Sequence, residues 1–431
     1  MNGKVAVIGA GISGLVAARE LQRAGWDVTV LEAGGHAGGH SNTVEVDDPR
    51  GPVAVDTGFI VFNDRNYPNF ERLLDELEVA TQPAPMHFSV SDERGEFEWS
   101  SRPLGLFANP AHLFDRRFHR MLTDLVRFFR EARELLDAGE ADESLQSFLI
   151  SRGYSEYFVE RLIVPQIAAV WSANPAELWS FPAVFLAQFL DNHGALQLRG
   201  RPRWRSIIGG SRRYVERLCT PFADRIRLHT PVREVSRGPW GVEIATDESR
   251  ERFDEVVIAT HSDQALAMLA DPSPAEVEVL SALPYQANET VLHTDRELMP
   301  RRRRAWGSWN FHLVDGAVGG TTVTYDMNHL QRLRAARRYL VTLNRSTAID
   351  PAKVLYRTTY EHPVYTLEGI AAQRRWAEIS ATRRTHYCGA YWGWGFHEDG
   401  VVSALRACER IGALERGRRI EATGSPAALA A

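Results

Sequence analysis

The residues best placed to do chemistry stand at the front of the chain. Gly9, Gly11 and Gly14 follow the apolar run Lys4–Ile8 at G-x-G-x-x-G spacing. In that pattern the first glycine permits a tight turn and the second lets backbone N–H groups approach a pyrophosphate. The third lets the next helix pack closely on the strand. Glu32 ends a second apolar run, Val28–Leu31, where a carboxylate can accept hydrogen bonds from a ribose 2′-hydroxyl. A 2′-phosphate would be repelled there, so NADP is disfavoured.

These groups need a β-strand, a helix and a second strand to hold them. The β-branched run Lys4–Ile8 reads as a buried parallel strand. Leu15, Ala18 and Leu21 lie at helical spacing, and Gly25 is a fitting C-cap. Strand, glycines, helix, strand and acid fall in order within about thirty residues, as a βαβ unit requires.

Past Glu32 the chain continues Leu31-Glu-Ala-Gly-Gly-His-Ala-Gly-Gly-His-Ser-Asn-Thr43. This resembles the L-E-A-x-x-R-x-G-G-R-x-x-T signature of the flavin amine oxidase superfamily, which spans amine oxidases, protoporphyrinogen oxidase, phytoene desaturases and flavin-dependent fatty-acid isomerases. His36 and His40 stand where that family usually has arginine. Three further stretches resemble the superfamily: Asp56-Thr-Gly58, Gly209-Gly210-Ser211 before a helix, and Tyr387 to Ala404 before a last helix. The resemblance implies FAD as cofactor and an α/β Rossmann-type (doubly wound) FAD domain with an inserted α+β substrate domain. The expected FAD contacts are Gly9, Gly11, Ser13, Gly14, Glu32, Ala33, Gly38, Gly39, His40, Thr43, Gly58, Phe59, Val232, Thr260, Gly389, Asp399, Gly400 and Val401. The final helix is expected to turn its positive N-terminal end toward the cofactor.

The 431 residues suit two interleaved domains. The resemblance divides them into FAD-domain segments 1–80, 201–271 and 376–417, a largely helical substrate segment 81–200, a β-rich substrate segment 272–375 and a flexible tail 418–431. A net charge of −5 gives no general attraction to nucleic acid. Cys219, Cys388 and Cys408 are scattered without metal spacing, so no metal is expected and a reducing cytoplasm suits them. The first strand begins at residue 4, which predicts no leader, and no apolar window is long enough to span a membrane. No motif assigns an oligomeric state.

The inserted segments are rich in large apolar groups. From Leu104 to Ala138 a helical pattern interleaves Leu, Phe and Met with Arg116, Arg117, Arg120, Arg127 and Arg130. One reading is a buried helical cap; the other is an amphipathic surface docked on lipid, a peripheral membrane contact. Trp171, Trp179 and Phe181, near Pro165, Pro175 and Pro182, either line an apolar pocket or fill core around helix ends. The composition shifts again over Arg199–Gly210. Arg301–Arg304 is a solvated turn or an anion site. The spacing also predicts a polar helix over Leu330–Asn344.

In the superfamily's topology the end of the strand Val354–Tyr360 faces the flavin. His362 and Tyr365 are therefore candidates for substrate positioning, with His362 also a candidate proton acceptor. Tyr391 and Trp392 are candidates for walls around the reacting group. Many superfamily amine oxidases hold a water with a lysine, and here only Lys353 remains for that role. A small hydrophobic, fatty-acyl or lipid-like substrate is the first reading, with hydride transfer to flavin N5 in desaturation or double-bond isomerisation. Amine oxidation is the alternative, and a flavin-binding protein without turnover the second alternative.

Overall fold

The computed structural model describes residues 2–138, 143–171, 179, 182–196, 200–314, 321–412 and 420–421. At its centre is a five-stranded parallel sheet in the order Ile226–Arg227, Asp27–Leu31, Lys4–Ile8, Glu255–Ile258, Thr385–Tyr387. In chain order these are the third, second, first, fourth and fifth strands of the sheet. This is the doubly wound arrangement, whose winding reverses beside the first strand. The sheet is apolar on both faces because both are covered. Val5 and Val7 pack into one buried cluster, while Ala6 and Ile8 pack into another on the opposite face.

The opening helix, Ile12–Arg23, lies very close to the first strand. A Cβ on Gly14 would stand 1.9 Å from the Gly9 carbonyl oxygen, so only glycine permits this approach. The closing helix, His397–Ile411, joins the same core through Ala404, Ala407 and Cys408. A Cβ on its Gly400 would meet Ile12 Cγ2 at 2.8 Å and Ser13 Oγ at 2.9 Å. The two ends of the described chain are thus packed together.

A second, seven-stranded sheet has the order Val354–Pro363, Tyr285–His293, Leu340–Leu343, Val323–Asp326, Trp309–Leu313, Phe88–Asp92, Glu98–Ser100. Phe88–Asp92 runs parallel to Trp309–Leu313, so residues from before and after the middle of the chain share this sheet. Helices Arg116–Ala138, Leu145–Ser151 and Ala183–Asn192 accompany it. A fourth helical run, Glu156–Trp171, passes through a π turn at Val159–Ile163. That wide turn lies just ahead of Pro165, which has no N–H to continue the regular ladder.

Two expectations are corrected. Leu330–Asn344 is not a helix. A short helix, Met327–Leu330, gives way at Arg332 (φ 48°), and Leu340–Leu343 is a strand between two others. Pairing on both sides outweighs local helical spacing. The helical pattern expected from Leu104 is a single short 3-10 turn, Pro110–Leu113, before the α-helix begins at Arg116. Arg301–Arg304 is a turn with Arg301, Arg303 and Arg304 exposed, tied down where the Arg301 and Arg302 N–H groups and the Arg302 guanidinium donate to buried Glu98. Pro175, Phe181, Arg199 and residues 413–419 and 422–431 lie outside the described residues.

Buried Asp56 ties three regions together. Its carboxylate accepts from Thr43 Oγ1 (2.6 Å), from the Ser211 N–H (2.8 Å) and from Gln331 Nε2 (2.8 Å). Burial still pushes it up to about 6, and burial pushes Glu398 up to about 7. In the opposite sense, burial holds His193, His293 and His362 at about 4 and His312 and His397 at about 3. It also holds His40 well below its ordinary value, with neighbouring histidines adding to the effect. Between their folded values and 6.5 these six histidines bind protons only when unfolded, so each loses stability as pH falls. Asp56 and Glu398 bind protons only when folded and oppose this over about pH 4 to 7. The histidines outnumber the acids, so these groups together take up protons on unfolding near pH 5.5. Urea midpoints should therefore fall steeply between pH 6.5 and 4.5; a flat profile would contradict the buried neutral histidines.

Candidate active site

A cavity of about 800 Å³ opens where the winding reverses, at the carboxyl ends of Lys4–Ile8 and Glu255–Ile258. This is the crevice in which doubly wound sheets bind ligands. One wall is the glycine turn, with Gly9, Gly11, Ile12 and Ser13. The opening helix begins there without a side-chain cap and without an acidic residue in its first turn. Its first N–H groups are therefore available to an anion. A Cβ on Gly11 would meet no atom within 4 Å, leaving open space above the turn.

Glu32 braces this wall. One carboxylate oxygen accepts from the Ala10 N–H at 2.7 Å and the other from the Gly34 N–H at 2.7 Å. Each oxygen keeps a further lone pair, so bracing the turn and accepting from a ribose are compatible. The second glycine pair lies against the first. The Gly38 N–H donates to the Ala10 carbonyl (2.7 Å), and a Cβ on Gly39 would approach Gly11 Cα at 3.2 Å.

Of the cofactor contacts expected from sequence, Gly9, Gly11, Ser13, Glu32, Ala33, Gly38, Gly39, His40, Gly58, Phe59, Val232, Thr260 and Gly389 line the cavity. Gly14, Thr43, Asp399, Gly400 and Val401 do not. Thr43 donates to Asp56 instead, and Val401 is core. Gly400 meets the opening helix, and Asp399 accepts from the Phe396 N–H at 3.0 Å. That carboxylate caps the closing helix, while Glu398 beside it accepts from the Asn69 and Phe70 N–H groups of another helix. The residues of this helix end that do reach the cavity are Phe396 and His397. His397 stacks on Phe59 with ring centroids 3.5 Å apart, and its Nε2 lies 2.9 Å from Ser41 Oγ. It clamps the closing helix to the second glycine segment.

His362, Tyr365 and Tyr391 line the cavity, whereas Trp392 packs behind it. His362 Nδ1 is 3.0 Å from Asn288 Nδ2. Lys353 is not in the cavity wall; its Nζ pairs with Asp295 at 2.9 Å. Sequence reasoning missed Tyr67 and His261, which stand just before the helices Pro68–Glu76 and Ser262–Met268, Trp204, which begins a short strand Trp204–Ile207, and Trp309 and Tyr325 of the seven-stranded sheet. None of them lies in a motif. For Trp309 and Tyr325 the aromatic-rich composition of the inserted segments was the only signal.

The fold and this crevice define a dinucleotide-binding α/β protein with an inserted sheet over the ligand site. The chain belongs to the flavin-containing amine oxidoreductase family, whose model matches residues 12–412. FAD is accordingly its cofactor, and the uncapped opening helix, the open cradle at Gly11 and the ribose-ready Glu32 fit that group. A mitochondrial protoporphyrinogen oxidase of Nicotiana tabacum is 25% identical over 305 residues, covering 59% of this chain and 57% of that protein. This chain therefore aligns with little more than half of that relative's length. Among solved structures, cyclohexylamine oxidase from Brevibacterium oxydans has a TM-score of 0.66 at 18% identity, covering 95% of this chain and 99% of that one. A conjugated-linoleic-acid-producing (CLA) fatty acid isomerase from P. acnes has a TM-score of 0.67 at 16% identity, covering 95% and 98%.

The two motif glycines should separate in experiment. Gly11→Val places its side chain in open space, so the apoprotein should melt within about 1 kcal/mol of wild type yet lose bound FAD. Gly14→Val drives a side chain into the Gly9 carbonyl and should fail to fold. Flavin absorbance after gel filtration and circular dichroism of both variants check this. FAD retained by folded Gly11→Val would rule out the assignment of the turn to the diphosphate.

Proposed function

We propose that this chain is an FAD-dependent oxidoreductase acting on a hydrophobic, fatty-acyl or lipid-like substrate by desaturation or double-bond isomerisation. The observation that carries the substrate class is the chemistry of the cavity wall away from Glu32: Val170, Trp171, Trp309, Tyr325, Trp394 and Phe396. No lysine lines the cavity among the described residues. Its one arginine, Arg233, lies beside Val232 and is paired with Asp247 at 2.9 Å. The arginine run 301–304 does not line the cavity, so it supplies no counter-charge for a substrate carboxylate.

FAD, when bound, supplies the hydride-accepting centre. The glycine turns, the opening helix and Glu32 would hold its diphosphate and ribose. The aromatic wall excludes water and orients an apolar chain by shape rather than charge. Amine oxidation is the second reading, favoured by the aromatic rings, which also suit an amine's apolar body.

Anaerobic bleaching of the flavin absorbance separates the two. Unsaturated fatty acids should bleach the flavin or emerge isomerised, while simple amines should do neither. Bleaching by amines alone would reverse the ranking.

The same reading extends to where the substrate comes from. Leu104, Leu113 and Phe114 are exposed by 77%, 50% and 87%. Arg116, Arg117 and Arg120 are exposed beside them, and Gly105 packs on the backbone of Arg304, which brings Arg303 and Arg304 to the same surface. Apolar tips ringed by guanidinium groups fit an anionic lipid surface. The protein should sediment with phosphatidylglycerol-containing vesicles, less so in high salt, and a Leu104→Ser/Phe114→Ser variant should stay in solution. Equal behaviour of variant and wild type would overturn the lipid contact.

A further inference from the structure

His362 sits on the last residues of the strand Val354–Pro363, diagonal to Asn288 on the paired strand Tyr285–His293. The orientation of Asn288 is fixed by a relay that ends on backbone groups. Asn344, in the left-handed conformation (φ 54°), accepts from the Glu289 N–H through Oδ1 (2.9 Å). Its Nδ2 donates to the Thr321 carbonyl (3.0 Å) and to Asn288 Oδ1 (2.7 Å). Neither backbone group can exchange roles, so Asn344 has one orientation. Asn288 Oδ1 accepts a second N–H from Gln286 Nε2 at 3.3 Å. Turning the Asn288 amide over would set its N–H₂ against two other donors. Asn288 Nδ2 therefore faces His362 Nδ1 as a donor, at 3.0 Å.

A ring nitrogen that accepts carries no proton, so the neutral imidazole must carry its proton on Nε2. Among the described residues Nε2 has no hydrogen-bond partner, and the ring lines the cavity. We propose that His362 is a fixed hydrogen-bond donor, through Nε2–H, to an accepting oxygen or nitrogen of a ligand in this cavity, and that it does not serve as the proton acceptor of the reaction. The lone pair a base would need is at Nδ1, and Asn288 occupies it. Protonating Nδ1 would press an N–H against the Asn288 N–H₂.

The surroundings agree. His40 stands 5.3 Å away, ring centroid to centroid, and His261 also bears on the ring. Glu361, the nearest carboxylate on the same strand, is 3.3 Å from His261 Nδ1. Tyr360 turns its hydroxyl to Thr57 at 2.8 Å. Burial, and then His261, hold His362 at about 4.

The ligand atom served belongs either to the bound flavin or to the substrate. The inference rests on the cavity assignment above, and its first test does not. Ring ¹⁵N resonances of histidine-labelled apoprotein, with His362 assigned by its loss in His362→Gln, should show one neutral tautomer protonated at Nε2 from pH 5.5 to 8. A proton on Nδ1, tautomer exchange, or titration near 6.5 overturns the proposal. Asn288→Asp, whose carboxylate can only accept, should reverse the tautomer and bring the titration above pH 6. Should that variant not fold, the wild-type spectrum alone decides.

Adding FAD, then an unsaturated fatty acid, locates the acceptor. A shift of Nε2 at the first addition assigns it to the flavin, and a shift only at the second assigns it to the substrate. No shift at either overturns the donor role while leaving FAD binding itself intact. In turnover, His362→Gln keeps a donor and should stay within about threefold of wild type, whereas His362→Leu should lose about tenfold in affinity for the ligand served. Neither should change the pH profile of kcat. A new or lost limb in that profile would restore the proton-acceptor role.

Discussion

The close approach of the first and last helices is the constraint on which the cavity depends. Gly400 lets the closing helix press on Ile12 and Ser13, the residues that begin the opening helix. Gly14 lets that opening helix press on the strand beneath it. With side chains at either position the N-terminus of the opening helix would move away from the crevice, and its N–H groups with it. His397 then fixes the far side, reaching Ser41 and stacking on Phe59. Residues nearly four hundred positions apart thus hold one wall, and the histidine works without charge because burial keeps it neutral.

The inserted sheet closes the cavity by the same economy of shared polar groups. Asp56 receives hydrogen bonds from Thr43, Ser211 and Gln331, joining the first segment, the middle of the chain and the inserted sheet at one carboxylate. Asn42 reaches Tyr360 (3.1 Å) and Tyr356 (3.2 Å) of the strand that carries His362. The position of that strand relative to the glycine loops is therefore set by hydrogen bonds with defined directions. Apolar packing alone would allow sliding; directional bonds at both ends of a rigid strand do not.

What was legible in the sequence follows the range of each interaction. The βαβ unit could be read because strand, turn, helix and acid are neighbours in the chain, and each glycine has a local reason. Leu340–Leu343 could not, because its strand state comes from two partners far away in sequence, Tyr285–His293 and Val323–Asp326. Nor could Phe88–Asp92 be placed beside Trp309–Leu313, a parallel pairing made across more than two hundred residues. Gly400 is the instructive case. A glycine near a helix start suits close approach of a ligand or of another helix, and only the packing reveals that Ile12 and Ser13 are what approaches. The aromatic wall was visible only as composition, since Trp204, Trp309 and Tyr325 share no spacing.

The two helices that begin at the cavity divide its electrostatics. The closing helix starts with Glu398 and Asp399. Asp399 takes up the Phe396 N–H, and Glu398 reaches across to the Asn69 and Phe70 N–H groups at the start of another helix, Pro68–Glu76. The opening helix has neither cap nor acid in its first turn, and Glu32 accepts from Ala10 and Gly34 with a further lone pair left on each oxygen. The first-turn N–H groups of that helix are thereby left for a diphosphate. Burial holds His40, His362 and His397 neutral in the remainder of the cavity, where Glu361 and His261 pair beside them.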